Sequence, residues 1–244
     1  MNRLAQAVVM FLVGGAVLRA SLTDLYLRYV RAGLRPLLVV AGIVLIVAGI
    51  ATVWYELRPP RATGENQPER EHDGRRGHAH REPRISWLLV LPLFALILVA
   101  PPALGSYTAN RTGTALQPTH AFPALPAGDP VRLSVVDYAG RAVYDHGRSL
   151  GDRRIEITGF VTVGPHGVPY LTRMVLNCCA ADAQPVKVGL SGQVPPVLQP
   201  DAWFEVVGTY TSKQIKDDVN GRPIPFINVS QATPVPAPHD RYES

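Results

Sequence analysis

The sequence predicts a membrane-anchored α+β chain, with N-terminal transmembrane helices followed by a small β-barrel-like domain of the OB type and one helix in front of the barrel. Three observations predict it. Long apolar segments are confined to the first half of the chain. Short segments of alternating apolar and polar residues, separated by Gly, Pro, Asn and Asp, fill the second half. The basic excess also lies in the first half. Residues 1–110 hold 12 Arg against 7 Asp or Glu, whereas residues 111–244 hold 12 Lys or Arg against 12 Asp or Glu.

Three spans are expected, at about 4–22, 36–55 and 85–104. A bilayer core needs about 20 apolar residues of helix. Residues 36–55 carry no charge between Arg35 and Glu56, and 85–104 are mostly apolar after Arg84. A buried core helix is the alternative for both, but such helices are usually shorter and carry a polar stripe. The first span is the weakest. Between Arg3 and Arg19 it has 15 uncharged residues, or about 22 Å of helix. Arg3 and Arg19 can snorkel, and Ala20 to Leu22 can extend it. A signal peptide is its rival, with Arg19 awkwardly placed beside a cleavage site.

Loop charge orients the spans. The N-terminus and residues 56–84 hold eight Arg, against four in residues 19–35. The 56–84 loop is therefore expected in the cytoplasm and the C-terminal domain outside it, in a multi-pass protein whose first partner is the lipid bilayer. The connector at 23–35 reads as interfacial, with Tyr26 and Tyr29 at headgroup depth. Residues 56–84 lack an apolar period and read as a flexible loop. His72, His78 and His80 lie there among arginines, and a solvated loop is the simpler reading. The chain thus divides into a transmembrane region at 1–106, a linker at 107–128, a β-rich domain at 129–235 and a tail at 236–244.

Within the domain, Leu133, Val136, Ala139 or Gly140, and Val143 recur at helical spacing behind Asp129-Pro130, a candidate cap and first turn. Strands are expected at 154–162, 170–177, 185–190, 203–210 and 224–229. A hairpin turn is expected at Val219-Asn-Gly-Arg222. Five short strands with a preceding helix suggest the OB-type barrel, with a small β-sandwich as the alternative.

Cys178 and Cys179 are adjacent and are the only cysteines. On a regular strand they point to opposite faces. They act together only if the chain leaves β geometry, which Ala180-Ala181-Asp182 permits. Three readings stay open: buried core cysteines, a vicinal disulfide or dithiol, and a soft-metal site completed by His146, His166 or Asp182. A disulfide would be strained, because neighbouring Cα atoms lie about 3.8 Å apart and the usual range starts near 4.4 Å. Arg173, close by, is a candidate anion contact or the partner of an acidic neighbour. The sequence contains no Cys-x-x-Cys, glycine-rich phosphate loop, Gly-x-Ser-x-Gly elbow or His-Glu-x-x-His. A non-enzymatic protein is expected, and a neutral second half argues against nucleic acid as a partner. Asp217 and Asp218 read as a solvated loop.

The run Leu171-Thr-Arg-Met-Val-Leu-Asn-Cys-Cys-Ala-Ala-Asp-Ala183 resembles the hallmark of the bacterial YcgQ-like family of membrane proteins, labelled as permease subunits. The resemblance extends to Leu18–Val30, to Gly159-Phe-Val161, to Trp203–Thr209 and to the Pro-rich end after Val229. It implies N-terminal membrane helices, a β-rich C-terminal domain and a multi-pass permease encoded nearby as partner. Related chains often carry a denser His repeat than Glu71–His80 does here, so a metal-buffering loop is less expected. The function this implies is an accessory subunit of a membrane permease, whose outer domain binds or gates substrate through Cys178 and Cys179, with Asp182 and Arg173 beside them. The alternative is a stand-alone thiol redox sensor or metal-binding membrane protein holding a transition metal with Cys178, Cys179, His146 and His166.

Overall fold

The computed structural model describes residues 3–58, 103–118 and 121–243, which fall into two units. The expected third span and the 56–84 loop lie almost wholly outside the described residues.

The first unit is a helical hairpin. Helix α1 runs Arg3–Leu22 and helix α2 runs Arg35–Leu57. The helices are antiparallel, and small residues let their backbones meet. A Cβ on Gly42 would lie 3.2 Å from the Gly14 carbonyl oxygen, and one on Gly49 would lie 3.2 Å from that of Ala7. Small residues at such a crossing are the usual device of helices that pack in lipid. The outer face is apolar, with Phe11, Val40, Ile43, Val47, Ile50 and Trp54 exposed. One helical run among the described residues, Ala32–Leu57, is long and apolar enough to cross a membrane, with a mean hydropathy of 2.7, while Gln6–Leu22 is a shorter apolar helix. Among the described residues, one N-terminal apolar helix is thus fit to serve as an anchor or signal.

The second unit contains residues 25–34 and everything described from residue 103 onward. Its strands are β1 (Val131–Arg132), β2 (Ile155–Val163), β3 (Pro169–Val175), β4 (Gln184–Gly192), β5 (Trp203–Lys216), β6 (Pro223–Pro234) and β7 (Tyr242–Glu243). Hydrogen bonding runs β2–β5–β6–β4–β3, and β3 returns to β2, so five strands close a barrel. Neighbours in the barrel are antiparallel except β4 and β6, which are parallel. The five expected strands are therefore present, each displaced by a few residues at most except for the longer C-terminal ends of β5 and β6. The expected hairpin turn joins those two.

Alternation places the core. Ile155, Ile157, Leu171, Val186, Val188, Val206 and Ile227 fill the barrel, and helix α4 (Val135–Tyr144) packs Val135, Tyr138, Ala139 and Ala142 onto that core. The Tyr138 hydroxyl donates to the Phe226 carbonyl at 2.7 Å, so its buried polar tip is satisfied. The helix begins later than Asp129-Pro130 suggested. Val131–Arg132 pairs with β2 as a strand, and Ser134 is the cap, its hydroxyl accepting from the Asp137 amide. Of the expected stripe, Ala139 and Val143 lie in the core and Leu133 and Val136 pack at its edge half-buried, while Val135, Tyr138 and Ala142 complete the buried face.

A second core lies on the outer side of β2 and β3. It joins Phe160, Met174, Leu176 and Tyr242 to Ala109 of helix α3 (Ser106–Arg111). Phe160 and Trp203 make a tilted ring contact at 5.7 Å. Strand β2 is therefore buried on both faces. A Cβ on Gly159 would lie 2.7 Å from the Thr172 carbonyl oxygen, so only glycine allows β3 so close.

Two stretches read as loose from the sequence belong to this unit. Part of the expected linker at 107–128 is packed, because α3 buries Ala109, and Thr114 and Leu116 are buried as well. Buried Asp217 holds this strap. Its carboxylate accepts from the Thr114 amide at 2.8 Å and pairs with Lys187 Nζ at 3.0 Å. Asp217 is thus no solvated loop residue. The expected tail at 236–244 contains β7, parallel to β3, with Tyr242 buried.

Candidate thiol-pair site

β3 ends at Val175, and the chain turns through a 3₁₀ segment, Ala180–Asp182. Asp182 makes that turn. Its carboxylate accepts from the Asn177 amide at 3.1 Å and from the Cys178 amide at 2.9 Å. Its own amide donates to the Cys179 carbonyl at 3.0 Å. Leaving β geometry removes the opposite-face problem. One sulfur from each cysteine and one Asp182 oxygen all lie within 4.8 Å of one another. Both cysteines are free thiols, Cys178 exposed and Cys179 half-buried.

The connector between α1 and α2 grips this turn. Val30 and Cys179 form an antiparallel bridge. The Arg31 amide donates to the Cys178 carbonyl at 3.2 Å, and the Ala180 amide donates to the Tyr29 carbonyl at 2.6 Å. The Tyr242 hydroxyl donates to the Arg28 carbonyl at 2.8 Å and accepts from the Leu104 amide at 3.2 Å. Behind the bridge is a cavity of about 250 Å³ whose lining includes Arg31, Leu176, Asp240 and Tyr242. Tyr26, expected at headgroup depth, is buried.

Electrostatics keep the exposed thiol protonated. The hydrogen bond to the Asp182 carboxylate, with a smaller one to Cys179, pushes the Cys178 thiol up to about 11. The same bond, with the backbone amides of Cys178 and Asn177, holds the Asp182 carboxyl below the usual range. Asp182→Asn removes the anionic acceptor and should lower the Cys178 pKa. The expected result is about a tenfold or greater rise in Cys178 alkylation rate at neutral pH, since each unit changes the thiolate fraction tenfold. An unchanged rate, measured by mass spectrometry of maleimide adducts, would show that Asp182 does not control the thiol.

The other expected site residues fall elsewhere. Arg173 is buried and holds the C-terminal strand. Its Nε lies 3.3 Å from Glu243 Oε1, and its Nη2 donates to the carbonyls of Asp240 and Tyr242. Its guanidinium also lies 5.0 Å above the Trp203 ring. Arg173 therefore takes the acidic-neighbour reading, and burial lowers its pKa. Glu243 in turn accepts from the Val135 and Val136 amides at the start of α4, while burial pushes its carboxyl up. His146 occupies a left-handed turn position after α4, with φ 52°, outside the thiol group. His166 lies in the 3₁₀ turn Pro165–Gly167, and its side chain is outside the described residues, as are His72, His78 and His80. Tyr29, Val30 and Arg31 are the site residues that sequence reasoning missed, because they act through backbone groups.

Comparison with known proteins adds one finding. Residues 136–243 match the family model of the DUF1980 C-terminal domain, which is consistent with a DUF1980 or YcgQ-like family. That match covers α4, the barrel, the thiol pair and β7. Neither the curated proteins nor the solved structures yielded a match.

Proposed function

We propose that the chain is a non-enzymatic, multi-pass membrane protein whose OB-type barrel unit lies outside the cytoplasm and binds a ligand through Cys178 and Cys179. It serves as the accessory subunit of a multi-pass permease. The observation that carries the binding reading is the convergence of two free thiols and a pinned carboxylate on an exposed turn. The barrel order, first to second to third strand, then fifth, fourth and back to first, supports the OB-type assignment. A redox-sensor reading is less favoured, since sensor thiols are low-pKa thiolates and Cys178 is pushed to about 11.

Connectivity supports the three-span topology. The connector and the barrel form one unit, and α2 leaves that unit directly from the connector. A third span, as expected from the sequence, would return the chain to the side on which α2 begins. The apolar stretch at 85–104 is where the sequence provides for that crossing. The Arg count favours the outer side for the connector and barrel.

The partner is tested by purification of the tagged full chain in mild detergent. The expected result is stoichiometric recovery of the multi-pass permease encoded beside it. Recovery of the chain alone, from cells that make both proteins, would remove the subunit reading and leave a stand-alone binding protein.

A further inference from the structure

We infer that Cys178, Cys179 and Asp182 form an open, exchangeable site for a thiophilic d¹⁰ metal cation, framed by the connector between α1 and α2. The inference rests on reading the thiol pair as a binding site, and it names the ligand class.

The donor set selects the ion. Two sulfurs and one carboxylate oxygen suit a soft cation better than a hard one, because thiolates favour soft metals and all-oxygen sites favour magnesium or calcium. A structural zinc site is closed by four protein ligands. The group here offers three donors among the described residues and has an exposed edge at Cys178. Such a site has coordination positions left for water or for a donor from the protein that delivers or takes the ion.

The site is also pre-shaped. Asp182 is fixed by two amide donors, and a carboxylate accepting those bonds retains lone pairs for a metal. The Cys178 carbonyl and the Ala180 amide flank Cys179 and are both bonded to the connector. Three successive peptide units therefore carry both sulfurs and both bridge bonds. An ion that fixes the two sulfurs fixes the backbone that holds Tyr29 and Arg31, as outer contacts orient metal ligands generally. Binding exchanges protons for the cation. Each S–H bond breaks, each sulfur donates its electron pair to the metal, and both protons pass to solvent, with no oxidant or reductant required.

The test is a titration of the reduced, detergent-purified full chain with Cd²⁺, followed by thiolate-to-metal charge-transfer absorption and by hydrogen exchange at the Arg31 and Ala180 amides. The expected result is one equivalent bound, slower exchange at both amides, and no displacement by excess Mg²⁺. Cys178→Ser with Cys179→Ser should lower affinity by at least on the order of a hundredfold, since losing outer-shell contacts alone costs about 10–100-fold. Melting curves of the variants check that the barrel remains folded. A charge-transfer band that survives the double cysteine replacement, or ready displacement by Mg²⁺, would overturn the inference. A trivalent arsenical that bridges two thiols separates the two readings. If it binds one per chain while Cd²⁺ does not, the thiol-pair site stands and the metal inference fails. If neither binds, the site reading fails as well.

Discussion

Asp217→Ala lowers the stability of the barrel unit by about 3–5 kcal/mol, the usual cost of leaving one partner of a buried ion pair uncompensated. Lys187 and Asp217 lie 3.0 Å apart with side chains only 5% and 3% exposed. The ammonium also donates to the Thr112 carbonyl, and Asp217 accepts from the amides of Thr114 and Val219. Removing the carboxylate strands a cation in the barrel wall and frees the strap at 112–116. Urea titration measures the loss. Replacing both residues, Lys187→Met with Asp217→Ala, should recover much of it, because the desolvated charge is then gone. A surface control separates burial from charge. Arg148→Ala breaks an exposed pair with Asp145, where Arg148 is 79% exposed, and should cost about 0–1 kcal/mol. Burial tends to push the Asp217 carboxyl up, but the amides of Val219 and Thr114 together with Lys187 outweigh it and hold it below 3.8. A folded pKa below the unfolded value gives stability that is fully present above pH 3.8 and lost as pH falls through the folded value. The acid limb of the stability curve should therefore flatten in Asp217→Asn. A small loss in Asp217→Ala, similar to the surface control, would mean that the pair is hydrated.

Tyr242→Ala should cost the same unit about 3–5 kcal/mol, the range for deleting a buried aromatic ring. The ring is buried among Phe160, Met174 and Leu176, and its backbone pairs with Met174 of β3. Tyr242→Phe keeps the ring and removes only the hydroxyl's bonds to Arg28 and Leu104, so about 1–3 kcal/mol is expected. The milder variant also reads the connector. Without its hydroxyl donor the Arg28 carbonyl is released, and exchange at the Arg31 and Ala180 amides should rise by about tenfold, equivalent to one lost net hydrogen bond. Equal stability losses in the two variants would show that the hydroxyl, not the ring, carries the contribution. Unchanged exchange in Tyr242→Phe would show that Tyr242 does not hold the connector.

The barrel strands were legible because alternation is local: Ile155, Ile157 and Val161 face one way, and the intervening residues face the other. Helix α4 was legible as a helix, but its start was not. Asp129-Pro130 has the chemistry of a helix start, and the pairing of Val131 with Ile155 that overrides it is made by residues 24 apart. Asp217 escaped for the same reason, since its partner Lys187 lies 30 residues earlier. The thiol pair and Asp182 could be read from their closeness in sequence, together with a turn that brings them together. The connector's part could not. Tyr29, Val30 and Arg31 reach the site through backbone bonds, which leave no mark in side-chain pattern. His146 was drawn in by residue type alone, and the turn it occupies lies outside the group. Arg173 was drawn in by nearness in sequence, and the fold turns it toward Glu243.

The most direct measurement is labelling of Cys178 and Cys179 in intact cells with a membrane-impermeant maleimide, with and without prior Cd²⁺. Both native cysteines lie in one turn, so the label reports that turn alone. The account predicts labelling without permeabilisation or reductant, and protection by Cd²⁺ that Mg²⁺ does not give. Labelling only after permeabilisation would contradict the outer placement of the barrel, and labelling only after denaturation would contradict an accessible thiol-pair site.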